Sequence, residues 1–339
     1  MTNIKTAESV SPGHPDKICD QISDAILDAH LAEDPKARVA VDVAGGHGIV
    51  FVTGEVTSKA KNVDVFNIVK RLAGDVKVVE NIAAQSLEIA SGVDVGGAGD
   101  QGIMIGYAVD ETPELLPLEV VLARDLNQYL YKLWPYDGKT QVTTKDGLID
   151  TVVASFQNAP KEDLLNEVRL WVDSQDYTDF VGHESDLSDN SGGVYTGDVK
   201  FHINPAGDWI VGGFDADAGL TGRKLAVDNY GPSVPVGGGA FSGKDASKVD
   251  RSAAYAARKI AVDYLKNRSA HEVYVTLAYA IGYDKPVQAR VSIDGIEEEI
   301  VGYDLSPAGI IEFLDLNRPQ YEATARYGHF ADKSFVWNR

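Results

Sequence analysis

The chain has 339 residues, too many for one ordinary core, so two or three domains are expected. Apolar residues make up 44% and charged residues 24%, an ordinary globular composition. A formal net charge of −20 repels phosphate backbones and anionic lipid heads, which argues against nucleic acid or a membrane as partner. A local cluster of Lys and Arg can still reverse that field inside one cleft.

The N-terminal run MTNIKTAESVSPGHPDK has no apolar stretch. Nothing further on is apolar for long enough to span a bilayer, so the cytoplasm is the expected location. From Pro15 to Glu33 the spacing predicts a helix: Ile18, Ile22, Ala25, Ile26 and Ala29 form one apolar stripe, Pro15 suits the first turn, and Asp34-Pro35 ends the run. Cys19 lies within this pattern and reads as a small buried core residue; a single cysteine makes neither an internal disulfide nor a thiolate cage. Asp16, Asp20, Asp24 and Asp28 recur every four residues on another face. For the last three the plain reading is a solvated acidic face. Asp16 differs, because it adjoins Gly13-His14-Pro15 at the helix mouth.

Strand-like runs at 38–43 and 49–57, joined by Gly45-Gly46-His47-Gly48, predict a hairpin. A helix follows at 63–72, then a glycine-rich irregular segment at 92–102. Further helices are predicted at 117–133, 162–172 and 247–266. Strand pairs are predicted at 141–144 with 148–156, at 200–204 with 209–213, and at 273–281 with 287–293. Hairpins alternating with helices imply α+β layers, helices packed on one face of mixed or antiparallel sheets. No repeat is visible in residue identity.

Four segments carry chemistry. Gly237-Gly238-Gly239-Ala240-Phe241-Ser242-Gly243-Lys244-Asp245 lets backbone approach an anion, with Lys244 and Lys248 placed to meet it at the entry of a helix. It nearly matches a phosphate-binding P-loop, but Asp245 stands where the Mg2+-binding hydroxyl belongs, which argues against that fold. Asp217-Ala218-Gly219-Leu220-Thr221-Gly222-Arg223-Lys224 places two adjacent cations after a turn. In Gly13-His14-Pro15-Asp16-Lys17, Asp16 offers a hard oxygen for Mg2+. His14 reads as a hydrogen-bond donor, as a positive charge near a leaving group, or simply as a satisfied histidine at a helix start. Gly99-Asp100-Gln101-Gly102 adds a carboxylate in a flexible loop.

In this order, with Glu8-Ser9-Val10-Ser11 before them and Tyr327-Gly328-His329-Phe330 at the end, these motifs resemble the methionine adenosyltransferase (S-adenosylmethionine synthetase) family over nearly the whole chain. The resemblance implies three similar α+β domains, expected at 1–97, 98–212 and 213–339. It also implies a homodimer with active sites between subunits, or a dimer of dimers. The implied reaction is attack of methionine sulfur on the ribose 5′ carbon of ATP, then cleavage of tripolyphosphate to pyrophosphate and phosphate. By the same resemblance His14, Lys139, Arg223 and Lys244 are catalytic. Asp137, Trp209, Asp217, Lys224 and Ala240 join them in holding ATP. Glu55, Ser91, Asp100, Asp217 and Lys248 lie around methionine. Asp16 and Asp250 match ligands of two Mg2+ ions, and Asp42 a ligand of K+.

The chain departs from the family pattern in being shorter. The stretch 75–87 looks compressed, and the loop 92–97 lacks part of the family's lid. Ser91 stands where a Gln is usual, Val236 where a His is usual, and Asp42 where a Glu is usual. A more open site, tolerant of larger S-alkyl groups, is expected. The rival readings are a P-loop ATPase or kinase, a non-catalytic regulatory subunit, and a tripolyphosphatase that has lost the first step.

Overall fold

The computed structural model describes residues 2–85, 97–175 and 195–339, with the backbone alone at 195–198. In chain order the described elements begin with β1 (Ile4–Val10), α1 (Pro15–Glu33), β2 (Arg38–Gly46), β3 (Ile49–Thr57), α2 (Val65–Ala73) and β4 (Lys77–Ala83). There follow β5 (Gly102–Val109), α3 (Leu118–Leu133), β6 (Gly138–Lys145), β7 (Leu148–Phe156), α4 (Lys161–Asp173) and β8 (Tyr195–Ile203). The last are β9 (Gly219–Leu220), α5 (Leu225–Asp228), α6 (Val249–Arg268), β10 (Glu272–Tyr279), β11 (Gln288–Ile293), β12 (Ile296–Glu299) and α7 (Pro307–Leu314).

The strands form three four-stranded sheets, ordered β4-β3-β2-β9, β1-β6-β7-β8 and β12-β11-β10-β5. Each sheet takes one strand from a different third of the chain. β1 lies antiparallel to β6 from Ile4↔Lys145 to Val10↔Lys139. β5 lies antiparallel to β10, and β9 caps the edge of β2. Divisions near residues 97 and 212 therefore cut the chain but not the sheets, and the three units are interleaved.

Local chemistry explains the elements that sequence predicted. Pro15 opens α1, His14 caps it, and the N–H of Asp34 closes it on His30. The β2–β3 hairpin turns through His47 and Gly48 at φ 50° and 79°, the doubly left-handed turn that matches strand twist. Cys19 is fully buried, as expected.

Other elements differ from expectation. Strands β1, β4, β5 and β12 and helix α7 had no clear periodic signal. Residues 209–212 are not a strand, because their backbone is used elsewhere. The Trp209 carbonyl accepts Asn158 N–H, the Ile210 carbonyl accepts the Gln157 amide, and Gly213 N–H donates to Asp137. β8 pairs instead with β7, in parallel.

Two cores result. One joins α1, α6 and the sheets of β2 and β10, around Ile22, Ile26, Val41, Tyr255, Val275 and Trp337. The other is Leu126, Leu130, Val142, Val152, Phe156 and Trp171, between α3, α4 and the β6–β7 face. Helix α6 lies so close to β5 that a β-carbon on Gly106 would stand 2.0 Å from the Ala257 carbonyl oxygen. Among the described residues, no helix is long and apolar enough to cross a membrane.

Candidate active site

Helix α1 organises the site, and it does so through the face read above as solvated. Asp20 and Asp24 are fully buried, which corrects that expectation. The four-residue spacing instead makes a row of acceptors for backbone N–H groups of the C-terminal loops. Asp16 accepts Leu220 N–H at 2.9 Å, Asp20 accepts Gly222 N–H at 2.8 Å, and Asp24 accepts Gly243 N–H at 2.8 Å. Asp28 accepts the N–H groups of Gln320, Tyr321 and Glu322. Glycine-rich loops are costly to order. A charge-assisted bond from each carboxylate offsets part of that cost.

The buried charges in this row are matched unevenly. Arg251 binds Asp24 with two parallel bonds of 2.6 and 2.8 Å, and donates also to Thr324 and the Lys244 carbonyl. Fully buried Lys17 is shared by two carboxylates, Asp228 at 2.7 Å and Asp20 at 3.0 Å. The Asp20 Oδ2 lies out of line for a hydrogen bond despite that distance. Burial raises both carboxyls above their usual range, each also raised by the other's charge or by Asp24, while Lys17 pulls them back.

One cluster of site residues forms where the β1–α1 loop, the start of β6 and the 213–224 loop meet. Ser11 ties the first two together, its N–H donating to the Gly138 carbonyl and its hydroxyl to the Tyr136 carbonyl. A β-carbon on Gly13 would be 2.7 Å from the Tyr136 carbonyl carbon, and one on Gly219 would be 2.2 Å from the Pro15 oxygen, so glycine is required at both. Lys224 pairs with Asp16, and Arg223 Nε stands 3.8 Å from the same carboxylate. Burial alone would raise the Asp16 carboxyl, but the Lys224 bond and charge, with the Leu220 N–H, hold it below its usual range.

His14 is buried, and its Nδ1 accepts Asp16 N–H at 3.1 Å, which leaves the proton on Nε2. Burial, then the charges of Lys224 and Lys139, push its pKa down to about 3. Its imidazole is therefore neutral, with an N–H at Nε2. Asp137 binds Gly213 N–H at 3.1 Å and lies in the fields of Lys139 and Asp217; burial raises its carboxyl. The Trp209 ring lies against Gly212, beside this bond.

A second cluster forms where residues 243–245 run along β2. Val41 N–H donates to the Gly243 carbonyl, and Ala40 bridges Lys244. Lys244 Nζ binds Asp250 at 2.6 Å. A β-carbon on Gly239 would be 2.8 Å from the Asp250 oxygen and 3.2 Å from Lys244 Nζ, so this carboxylate–lysine pair sits under the glycine run. Asp42, though on the open face of the hairpin, is partly desolvated by its surroundings, which raises its carboxyl, while the charge of Lys244 lowers it. Gly222 and Ala240 touch, joining the two clusters.

Some expected residues stand apart. Lys248, at the cap of α6, is paired with Asp245 at the edge of the second cluster and not with the Lys244–Asp250 pair. Glu55 and Asp100 are exposed. Glu55 shares the uncovered face of the β2–β3 hairpin with Asp42, Thr53 and Phe51. Ser91 and the lid positions 92–96 lie outside the described residues. Asp245, which broke the P-loop pattern, accepts Val39 N–H at 2.7 Å and anchors the loop to β2. Sequence reasoning missed Asp20, Asp24, Asp28 and Arg251 as site-builders. The strict four-residue period continuing from Asp16 was the available signal.

Among the described residues, no three His, Cys, Asp or Glu converge as a metal cage. Asp16 and Asp250 each present one carboxylate, in a cluster of cations. That donor set suits Mg2+, which commonly takes one or two carboxylates and completes its octahedron with water and substrate phosphate. Asp42 offers one carboxylate within the field of Lys244, and nothing further is derived for K+.

Three interleaved α+β units, with lysine–carboxylate pairs under two glycine-rich loops, define a phosphate-handling protein that is not a P-loop fold. Sequence profiles of the S-adenosylmethionine synthetase domains match in succession, the N-terminal at 2–94, the central at 95–209 and the C-terminal at 211–339. The S-adenosylmethionine synthase of Thermus thermophilus is 42% identical over 392 aligned residues, covering 98% of this chain and 95% of its own. S-adenosylmethionine synthase 1 of Frankia casuarinae is 45% identical over 386, with the same coverage, and that of Desulforudis audaxviator 42% over 389. The chain belongs to the S-adenosylmethionine synthetase family. Aligned lengths above 339 mean that these relatives carry insertions this chain lacks.

Proposed function

We propose that this protein forms S-adenosylmethionine from ATP and L-methionine; its relatives are named S-adenosylmethionine synthases. Methionine sulfur attacks the ribose 5′ carbon, the S–C5′ bond forms, and the C5′–O bond breaks with its electron pair leaving on triphosphate. Water then splits tripolyphosphate into pyrophosphate and phosphate. The site's task is alignment, together with stabilisation of charge that grows on the leaving oxygens.

The observation that carries this reading is the repeated pairing of a lysine with a carboxylate, Lys224 on Asp16 and Lys244 on Asp250, under glycine-rich backbone. A triphosphate would draw Lys224, Lys244 and the adjacent Arg223 and Lys139 to its oxygens. Asp16 and Asp250 would then be open to Mg2+. Bound there, Mg2+ would neutralise phosphate charge. His14, neutral and with its proton on Nε2, donates to the departing oxygen without adding a formal charge. Asp137, Trp209, Asp217 and Ala240 frame the nucleotide. Glu55, Ser91, Asp100, Asp217 and Lys248 are assigned to methionine.

A homodimer completes the site. The β2–β3 face that carries Asp42 and Glu55 is uncovered, with Phe51 46% and Leu220 of adjoining β9 42% exposed. Apolar residues grouped on an open sheet face favour a second protein surface. The two clusters would then each meet residues of the second copy.

The experiment is to mix protein, ATP, methionine, Mg2+ and K+, follow S-adenosylmethionine by mass, and assay phosphate. Product with phosphate and pyrophosphate in equal amounts is expected. Phosphate without any sulfonium product refutes the proposal.

A further inference from the structure

A cavity of about 670 Å3 lies between α3 and the C-terminal segment, lined by none of the residues of the two clusters described above. Its wall includes Val121, Arg124 and Tyr131 of α3, with Glu114 and, from the C-terminal segment, Tyr327 and Phe335. Its size is that of a small-molecule pocket.

Arg124 is only 8% exposed, yet it makes no hydrogen bond or ion pair among the described residues. The contrast with the other two buried arginines is sharp. Arg251 is held by Asp24, Thr324, Tyr255 and the Lys244 carbonyl. Arg258 is held by the carbonyls of Tyr107, Leu115 and Glu114 and by Asn338. No Arg124 nitrogen is among the fully buried unpartnered atoms, so its guanidinium opens onto the cavity. At the same cavity, Glu114 Oε2 is buried and also has no hydrogen-bond partner. Arg124 lies in the fields of Glu114 and, less strongly, of Asp125, but meets neither in an ion pair.

A guanidinium asks for a carboxylate, and a carboxylate asks for an ammonium. The wall between them is apolar and aromatic, with Tyr131 and Tyr327 edge to face at 6.4 Å. Further charges of both signs line the cavity, Lys132 and Arg326 with Asp125 and Asp332, so no net field gathers a polyanion. We propose that this cavity is a second ligand site, which takes a small zwitterion of the α-amino-acid kind with an aromatic body, its carboxylate on Arg124 and its ammonium on Glu114. Burial pushes the Arg124 pKa down to about 10, still leaving it charged near neutrality to receive a carboxylate.

The test is calorimetric titration of the intact protein with L-phenylalanine, beside 3-phenylpropionate, 2-phenylethylamine and inorganic phosphate. Saturable binding of L-phenylalanine is expected, with each half-molecule about tenfold weaker or worse. Glu114→Gln and Arg124→Lys should each weaken it about tenfold, because a bidentate or paired contact is lost. Glu114→Gln should leave the rate of S-adenosylmethionine formation unchanged. Should Arg124→Lys fail to fold, Glu114→Gln and Tyr327→Ala carry the test. No saturable binding up to roughly 10 mM overturns the proposal. So does phosphate or 3-phenylpropionate binding as tightly as the amino acid, which would mark a plain anion site. Affinity indifferent to the substitutions, which would place the ligand elsewhere, overturns it equally.

Discussion

Replacing Asp24 by Asn tests whether the acidic row of α1 holds the active-site loops. The Asp24–Arg251 pair is essentially fully buried, with bonds of 2.6 and 2.8 Å, and the same carboxylate takes Gly243 N–H. Asn keeps an oxygen for one of these donors and loses the charge, leaving a guanidinium uncompensated in the core. Breaking such a pair costs about 3–5 kcal/mol. Asp20→Asn is the matched control. Asp20 and Asp228 share the single ammonium of Lys17, so removing one charge leaves a balanced pair, and Asn retains an acceptor for Gly222 N–H. Its cost should be under about 1 kcal/mol, that of a weakened hydrogen bond. Thermal unfolding at one protein concentration should therefore separate the variants, at roughly 2 °C per kcal/mol for a chain of this size. A drop of about 6–10 °C is expected for Asp24→Asn and no more than about 2 °C for Asp20→Asn. Equal drops for the two, or a loss under about 1 kcal/mol at Asp24, would refute the assignment of charge in this row.

Lys244→Ala should lower turnover far more than it raises the KM for methionine, because leaving-group charge is greatest in the transition state; steady-state kinetics with an unchanged kcat would count against this. His329 is buried, bonded through Nδ1 to Tyr255 at 2.7 Å, and held well below its usual pKa by burial, then by the charges of Arg251 and Lys17. A depressed pKa gives stability that is present above pH 6.5 and lost as pH falls below it, at about 1.4 kcal/mol per pH unit for one proton. His329→Asn should flatten the acid limb of a stability–pH curve by that amount, and a limb of unchanged slope would exclude His329 as its source. Finally, the short lid and Ser91 should let S-ethyl analogues of methionine react more nearly on a par with methionine than in a long-lid relative. Competition assays showing equal or greater discrimination would reject this.

Much of the chemistry was legible in the chain because it depends on local letters. Gly13-His14-Pro15-Asp16 is a helix start whose side chains enter one of the two clusters, and glycines at 219 and 239 are required where backbones or charged groups crowd together. The architecture was less legible because it depends on long-range pairing. β1 carries polar Thr6, Glu8 and Ser9 and shows little alternation, yet it pairs along its full length with a strand more than a hundred residues away. β5 follows a glycine-rich stretch, and the helix laid on it is what requires Gly106. The acidic row was misread for the same reason. A helix considered alone presents Asp20 and Asp24 to water, and only the returning loops bury them.

That row also resolves a tension in the charge. A chain of net charge −20 should resist gathering a triphosphate, and its binding loops are glycine-rich and entropically expensive to order. Both difficulties are met by the same carboxylates. Asp16, Asp20 and Asp24 spend their acceptor capacity on Leu220, Gly222 and Gly243 N–H groups, while Lys17, Lys224 and Arg251 neutralise their charge from nearby. The acidic face of α1 thus becomes a neutralised seam, and it leaves Arg223 and Lys139 as exposed cations. Because the seam joins a helix of the first third of the chain to loops of the last, the binding geometry exists only once those two parts have docked. The two lysine–carboxylate clusters are thus held in place by bonds between the first and last thirds of the chain.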